Sequence, residues 1–186
     1  MNAYDFDKTI YDGDSTADFY FFCLKRHKKI ICCFPSLIIA AVKFFVLKKI
    51  SKTQFKQTMY RFLNYCDIEN DLEEFWNKAK YKIKGFYKKQ KKDDDVIISA
   101  SPEFLLKPIC DELSIKRLIA SKVDMKTGIY DGLNCHGKEK VRRFREFFGN
   151  AKVDKFYSDS KSDTPMAEIA EHAYLVNKEK ITEWIF

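Results

Sequence analysis

The chain has 186 residues, of which 46% are hydrophobic and 16% aromatic, and its formal net charge is +7. The apolar content argues against a disordered chain, and the chain is too short for two ordinary domains. Length and composition together predict one well-filled core with an insert. Residues 15–92 hold 18 Lys and Arg against 6 Asp and Glu, whereas the other residues hold 16 against 21. Residues 15–92 therefore form a basic insert, and the acidic remainder of the chain, residues 1–14 and 93–186, is called the frame.

The N-terminal residues and the cysteines predict a cytoplasmic location. An acidic cluster begins at Asp5, where a secretory leader would be basic and then apolar, so we expect no signal sequence. The six cysteines show neither a CxxC pair nor zinc-finger spacing. This spacing predicts reduced thiols that are mostly buried.

Short apolar runs alternate with helical patterns along the frame. Runs at 2–6, 96–99, 118–121, 155–158 and 173–176 predict strands, and the patterns at 102–113 and 138–148 predict helices. Two glycine-containing turns in 122–135 predict a small hairpin or an irregular excursion. The alternation of strands and helices predicts an α/β fold, with a parallel sheet covered on both faces.

The insert is predicted to be helical throughout. Ser51 and Gln54 have the spacing of a capping box, and Phe55, Met59, Phe62 and Leu63 share one helix face. Apolar residues at helical intervals over 72–87 predict a further long helix, which outweighs a strand-like alternation of lysines there.

Acidic residues are crowded directly behind the first predicted strand. Asp5 and Asp7 lie where open α/β sheets bind their ligands, just past the carboxyl end of a strand. Such carboxylates repel one another unless a cation neutralises them, and Mg²⁺ prefers oxygen ligands of this kind. Asp12 and Asp14 are assigned to loop and helix-capping positions, and capping is favoured for both, since Asp14 precedes Ser15 and Thr16.

Four short motifs in order resemble the haloacid dehalogenase (HAD) superfamily of phosphotransferases. They are "DFDKT" at 5–9, an apolar strand ending at Ser99, a lysine at Lys140 and "DSKSD" at 159–163. Each motif alone is weak evidence, but four in order at strand ends or helix starts are strong. The resemblance implies a Rossmann-like three-layer core of residues 1–14 and 93–186, with a basic helical cap of residues 15–92.

The resemblance also implies a role for each motif residue. Asp5 resembles the nucleophile that accepts the phosphoryl group as an aspartyl phosphate, and Asp7 resembles the general acid and base. The implied cofactor is Mg²⁺. Its ligands would be the Asp5 carboxylate, the Asp7 backbone carbonyl and Asp159, with Asp163 nearby through a water. The implied phosphate-binding residues are Thr9, Ser99 and Lys140.

Some assignments leave competitors. Lys138 competes with Lys140 for the phosphate, and the resemblance favours Lys140, because "GKEKVRRF" aligns better with the family's patterns in that register. Ser101 competes with Ser99, and the strand end favours Ser99. Arg142 and its neighbour Arg143 are assigned to a solvated helix face.

The insert bears on the substrate. Residues 30–47 contain 15 apolar residues out of 18 and have lysines on both sides. A single membrane span would separate Asp5 from Ser99, Lys140 and Asp159. We therefore expect either a buried part of the cap or a segment resting peripherally on an anionic membrane.

Two substrate classes follow from the resemblance. The apolar insert, "GKEKV" and "YSDSKSD" are similar to the phosphatidylglycerophosphatase C type of phosphatase, which implies a lipid head-group phosphate. The alternative is phosphoserine or another small phosphorylated metabolite, although Asp14 is shorter than the glutamate that contacts the amine in phosphoserine phosphatases. A non-enzymatic protein whose basic surface binds membrane or nucleic acid is a third hypothesis. No nucleic acid partner is expected of the enzyme, and the sequence does not determine the oligomeric state.

Overall fold

A single mixed sheet organises the protein, and the computed structural model describes all residues, Met1–Phe186. The strands are β1 (Asn2–Tyr4), β2 (Val96–Pro102), β3 (Arg117–Ser121), β4 (Val153–Ser158), β5 (Ala170–Asn177) and β6 (Lys180–Glu183). Their order across the sheet is β3-β2-β1-β4-β5-β6. All neighbours are parallel except β5 and β6. The fold class predicted from the sequence, a mostly parallel α/β sheet, is confirmed.

Eight α-helices accompany the sheet. They are α1 (Ser15–Arg26), α2 (Phe34–Ala41), α3 (Lys52–Met59), α4 (Ile68–Ala79), α5 (Gly85–Gln90), α6 (Glu103–Glu112), α7 (Lys138–Phe148) and α8 (Thr164–Ala167). The helices predicted at 102–113 and 138–148 correspond to α6 and α7. The predicted hairpin at 122–135 contains one antiparallel bridge, between Val123 and Tyr130.

Alternate side chains of the short central strand β1 enter the two halves of the core. On one face, Ala3 lies in a cluster with Phe144 of α7 and Met166 of α8. On the other face, Tyr4 packs edge to face on Tyr87 of α5, with ring centroids 4.9 Å apart. Both faces are therefore covered at the centre of the sheet, which is why β1 and nearly all of β2 are buried.

The insert is not one long helix from 72 to 87, as the apolar pattern predicted. After α4 the chain forms a 3-10 turn (Lys80–Lys82), and Ile83 is extended and bridges Tyr11. The backbone N–H of Asp12 donates to Lys82 O, and that of Lys84 donates to Ile10 O, both at 2.8 Å. These hydrogen bonds to the loop behind β1 replace the helical ones, and they interrupt the helix.

The apolar segment 30–47 is mostly exposed, so of the two alternatives the structure does not show the buried cap segment. A 3-10 turn (Lys28–Cys33), α2 and a π turn (Val42–Val46) make one continuous helical stretch, Lys28–Val46, which is long and apolar enough to cross a membrane by length and composition alone. Its exposed apolar face consists of Ile38, Ile39, Val42, Phe45 and Val46, whose exposed fractions range from 45% to 71%.

Two further features differ from the sequence-based expectations. The edge strand β6 was not predicted, because its four residues are all exposed and lack an apolar run. Strand β2 continues to Pro102, beyond the predicted end at Ser99, with an irregular register against β3 after Ile98. Helices α1 to α5 all lie between β1 and β2, but Tyr87 of α5 packs on Tyr4 of the sheet itself. The division into a core and a cap of residues 15–92 stays a prediction.

Candidate active site

The site begins where β1 ends. Tyr4 is paired with Tyr157 of β4, and the backbone N–H of the next residue, Asp5, donates to Tyr157 O at 2.9 Å. This parallel register brings the carboxyl ends of β1 and β4 to the same edge of the sheet. Asp5 and Asp159 therefore both line one cavity, although 154 positions separate them.

Lys140 connects the acidic residues at this edge. Its Nζ lies 2.6 Å from Asp5 Oδ1 and 2.7 Å from Asp163 Oδ2, and the lysine is 1% exposed. Burial acts to lower the pKa of Lys140, but the charges of Asp5 and Asp163 outweigh it and raise the pKa above its ordinary value. The ammonium group therefore stays protonated at neutral pH.

The carboxylates are crowded. Burial raises the pKa of Asp5 to about 7; Lys140 acts to lower it, and the charge of Asp163 adds to the rise. The pKa of Asp159 is also raised, first by burial, and Asp163 contributes while Lys8 opposes. One cation, Lys140, does not neutralise this set, so the site favours a further positive charge.

Asp7 is held by donors on both carboxylate oxygens. The backbone N–H of Ser15, at the start of α1, donates to Oδ1 at 2.6 Å, and the Ser101 hydroxyl donates to Oδ2 at 2.5 Å. Burial raises the pKa of Asp7, as does Asp14, whereas the hydrogen bonds from Ser101 and Ser15 lower it. Asp7 is therefore oriented toward the cavity without an ion pair.

The cavity has a volume of about 470 Å³, a polar floor and a partly apolar wall. The floor comprises the predicted residues Asp5, Asp7, Ser99, Lys140, Asp159 and Asp163. The wall comes from the helical insert and includes Phe44, Phe45, Phe55 and Met59. Phe44 and Phe55 stack with centroids 5.2 Å apart and planes 11° apart.

Among the competing assignments, the structure brings one lysine and both serines into the site. Lys138 is exposed and does not line the cavity, whereas Lys140 does. Ser99 and Ser101 both line it, because β2 continues past Ser99; the Ser99 hydroxyl accepts the backbone N–H of Ser101 at 3.1 Å.

Thr9 differs from the other predicted site residues. Its side chain is fully buried, its Oγ1 has no hydrogen-bond partner, and it does not line the cavity. The turn behind Asp7, in which the backbone N–H of Ile10 donates to Phe6 O, directs the chain away from the cavity. The structure therefore does not bring Thr9 to a phosphate position.

Two assignments outside the motif set need correction. Asp14 is the N-cap of α1, and its Oδ1 accepts the backbone N–H of Ala17 at 2.9 Å, but Asp12 is exposed and caps no helix. Arg143 is not on a solvated face. It is 7% exposed and donates to Ala120 O at 2.7 Å and Leu133 O, so it ties α7 to β3 and the hairpin.

The cation Lys56 was missed from the sequence. It is half-buried in the cavity wall, where its Nζ donates to Ala100 O at 3.2 Å and Asn134 Oδ1 at 3.4 Å. Burial lowers the pKa of Lys56 to about 8. The signal was present in the sequence, since Lys52, Phe55, Lys56 and Met59 recur at helical intervals, which puts the lysines beside the apolar residues of that face.

The acidic residues have the chemistry of a magnesium site. Asp163 is 2% exposed, and its Oδ1 has no hydrogen-bond partner, so one buried carboxylate oxygen is left uncompensated. Asp5 and Asp159 supply further carboxylates at the same cavity. Hard divalent cations prefer oxygen ligands of this kind, and the residues present fit Mg²⁺.

Curated proteins match part of the chain. Protein CicA from Caulobacter vibrioides is 37% identical over 82 residues, which are 41% of this chain and 37% of that protein. Probable phosphatase Rv3661 from Mycobacterium tuberculosis is 32% identical over 94 residues, which are 47% of this chain and 33% of that protein. The matched part thus spans about a third of these relatives.

Solved structures share the fold over most of the chain. A Bordetella pertussis protein with unknown function has a TM-score of 0.70 and 18% identity, covering 90% of this chain and 85% of that one. A phosphoserine phosphohydrolase-like protein from Francisella tularensis has a TM-score of 0.55 and 16% identity, covering 96% and 90%. A phosphoserine phosphatase with a phospho-aspartyl intermediate analogue has a TM-score of 0.54 and 15% identity, covering 92% and 83%.

The protein family follows from a match between the chain and a family model. The model described as haloacid dehalogenase-like hydrolase matches residues 3–168, which include every motif residue of the site. The chain therefore belongs to the haloacid dehalogenase-like hydrolase family.

Proposed function

We propose that this protein is a phosphatase that hydrolyses phosphate monoesters through an aspartyl phosphate on Asp5. The observation that supports this most directly is the buried contact of Lys140 with both Asp5 and Asp163 at the floor of an open cavity. Phosphoryl transfer depends mainly on positioning and charge neutralisation, and this arrangement supplies both.

The proposed reaction has two displacements. In the first, an Asp5 carboxylate oxygen forms a bond to phosphorus, the bond to the leaving oxygen breaks, and Asp7 gives that oxygen a proton. In the second, Asp7 takes a proton from water, the water oxygen bonds to phosphorus, and the bond to Asp5 breaks. The raised pKa of Asp7 favours the protonated form that the first displacement uses.

The remaining residues hold the phosphoryl group. Ser99 would donate its hydroxyl to a phosphoryl oxygen, and Lys140 would keep the Asp5 carboxylate in place while neutralising charge. Asp5, the Asp7 carbonyl, Asp159 and Asp163 would hold Mg²⁺, with Asp163 acting through a water. When bound, Mg²⁺ would supply positive charge to the phosphoryl oxygens.

The wall of the cavity favours an amphiphilic substrate. Phe44, Phe45, Phe55 and Met59 line one side, and Phe45 also belongs to the exposed apolar face of the insert. Exposed lysines flank this face at Lys28, Lys29, Lys43, Lys48 and Lys49. We therefore propose a lipid head-group phosphate, such as phosphatidylglycerophosphate, as substrate. The enzyme would be cytoplasmic and in peripheral contact with an anionic membrane.

The alternative substrate is phosphoserine or another small phosphorylated metabolite. The volume of about 470 Å³ also admits such a molecule, and Lys56 offers a cation in the wall for a carboxylate. Turnover of vesicle-embedded lipid phosphates and of soluble phosphorylated metabolites, measured side by side, separates the two classes.

The activity itself is tested with an aryl phosphate. We expect hydrolysis that requires Mg²⁺ and is abolished by Asp5→Asn, because the amide cannot act as the nucleophile. Asp12→Asn is the matched control, since Asp12 is exposed and outside the cavity. Full turnover in Asp5→Asn or in chelator would reject the mechanism. A basic surface that binds membrane or nucleic acid without catalysis would show no turnover and unchanged binding in Asp5→Asn.

A further inference from the structure

A second group of metal-ligating side chains lies in the helical insert. Cys23 of α1, Cys66 behind the 3-10 turn Tyr60–Tyr65, and Asp71 of α4 each present a ligand atom, and the three atoms lie within 4.8 Å of one another. None of these residues lines the active-site cavity. The group was not visible in the sequence because its members come from three separate segments.

The carboxylate in this group is completely buried and incompletely satisfied. Asp71 is 0% exposed, and its Oδ2 lies 2.6 Å from His27 Nε2. Arg26 Nε is 2.8 Å from Oδ1 but is not aligned for a hydrogen bond, so Oδ1 has no hydrogen-bond partner. Buried polar atoms in native proteins nearly always have a hydrogen-bond partner, and a metal ion bound at this oxygen would take the place of the missing one.

The donor set fits a borderline-soft divalent ion. Two thiolates and one carboxylate are ligands of Zn²⁺, which takes four ligands in a tetrahedron with Zn–S near 2.3 Å and Zn–O near 2.1 Å. Such bonds place the ligand atoms about 3.5–4 Å apart. The observed limit of 4.8 Å therefore requires only small side-chain movements. Cys66 is half-buried, so an ion can reach its sulfur from solvent.

We propose that Cys23, Cys66 and Asp71 form a zinc site that fastens α1, the Cys66 segment and α4 to one another. The ion and the Arg26 guanidinium together balance two thiolates and one carboxylate, so no net charge is buried. His27 contacts Asp71 Oδ2 and Arg26 contacts Oδ1, so both orient the carboxylate, as partners of ligating groups commonly do. Binding replaces the two thiol protons.

Cobalt serves as the spectroscopic probe. Metal-free full-length protein, kept reduced and in excess Mg²⁺, is titrated with Co²⁺, and the near-ultraviolet thiolate-to-cobalt absorption is recorded. We expect a band that saturates at one equivalent and disappears when Zn²⁺ is added. Cobalt at the oxygen ligands of the active site gives no thiolate band, so the readout is independent of catalysis.

Substitutions of single cysteines test which thiols produce the cobalt band. Cys66→Ser should lose the band. It is the primary variant because Cys66 is only half-buried and tolerates the change better than the buried Cys23. Cys32→Ser and Cys110→Ser are controls for an exposed and a buried thiol, and both should keep the band.

Thermal unfolding gives a second test. Zn²⁺ at about a hundredfold above its Kd should raise the Tm of the unaltered protein by several degrees, and should leave the Tm of Cys66→Ser unchanged. Absence of the band, or its retention in Cys66→Ser, would overturn the proposal.

Discussion

Lys140 Nζ lies 2.6 Å from Asp5 Oδ1, and this contact joins two positions that are 135 residues apart. The same ammonium group contacts Asp163 Oδ2 at 2.7 Å. One buried cation therefore links the end of β1, the first turn of α7 and the segment behind β4. Its removal leaves two buried carboxylates without their common partner.

Lys140→Met should abolish phosphatase activity and destabilise the protein. Loss of a preorganised charge at the phosphoryl group lowers kcat by about a hundredfold or more. Breaking a buried ion pair costs about 3–5 kcal/mol, because the remaining charge is uncompensated. Initial rates and urea unfolding of the two proteins measure both effects.

The double variant Lys140→Met/Asp163→Asn separates the two effects. It removes one of the stranded carboxylates, so the free energy of unfolding should recover in part while kcat stays low. Recovery of activity together with stability would show that Lys140 acts only through folding.

Lys56 should give the Michaelis constant a pH dependence. Burial lowers the pKa of Lys56 to about 8, so its charge is present below that pH and is lost as the pH rises through it. A charged hydrogen bond to substrate contributes about 1.5–3 kcal/mol, hence KM should rise at least tenfold above pH 8. Steady-state kinetics from pH 6 to about 10 test this.

Two variants assign that pH dependence. Lys56→Arg should move the rise in KM to higher pH, because arginine remains charged. Lys56→Met should give the high KM at every pH, and Lys49→Met, an exposed lysine outside the cavity, should change neither KM nor its pH dependence. If the dependence of KM on pH were unaltered in Lys56→Met, Lys56 would not contact the substrate.

Gly128→Ala should destabilise the contact between the hairpin and the insert. Gly128 has φ +72°, and an added Cβ would lie 2.6 Å from Tyr60 Cβ and 2.9 Å from Tyr60 O. The conformation costs about 1–2 kcal/mol, and overpacking adds about 1–3 kcal/mol.

Gly132→Ala is the matched control for Gly128→Ala. Gly132 has φ +88° but nothing within 4 Å of the added Cβ, so only the conformational cost applies. The two Tm values should therefore differ by several degrees, since each kcal/mol shifts Tm by about 2–4 °C at this chain length. Equal Tm values would contradict the close approach of Tyr60.

The exposed apolar face should bind anionic membranes. We expect the protein to float with vesicles that contain anionic lipid and to stay in the soluble fraction with zwitterionic ones, because lysines surround the face. Ile38→Glu/Val46→Glu should abolish flotation and leave hydrolysis of a soluble aryl phosphate intact, since neither residue lines the cavity.

The control for flotation is Ile185→Glu/Phe186→Glu. These residues are 81% and 75% exposed and lie outside the insert, so the variant carries the same charge change at another place. It should float like the unaltered protein. Flotation that survives Ile38→Glu/Val46→Glu would exclude this face as the membrane contact.

Local sequence was enough to predict the parallel sheet, α6, α7 and the polar residues that follow the strands. An apolar run is readable from its own residues, and parallel strands bring their carboxyl ends to one edge wherever they lie in the chain. The presence of Asp5, Asp7, Ser99, Asp159 and Asp163 at one cavity follows from that rule, whereas Lys140 reaches the cavity from the first turn of α7.

Only the tertiary structure decided features that depend on which side of an element meets a neighbour. The end of α4, the burial of Arg143 and the entry of Lys56 into the cavity each depend on backbone groups of other segments. The exposure of Ile38 and Val46 was equally undetermined, because an apolar helix can face a core or a bilayer. Periodicity specifies a helix face, whereas its partner is specified by long-range packing.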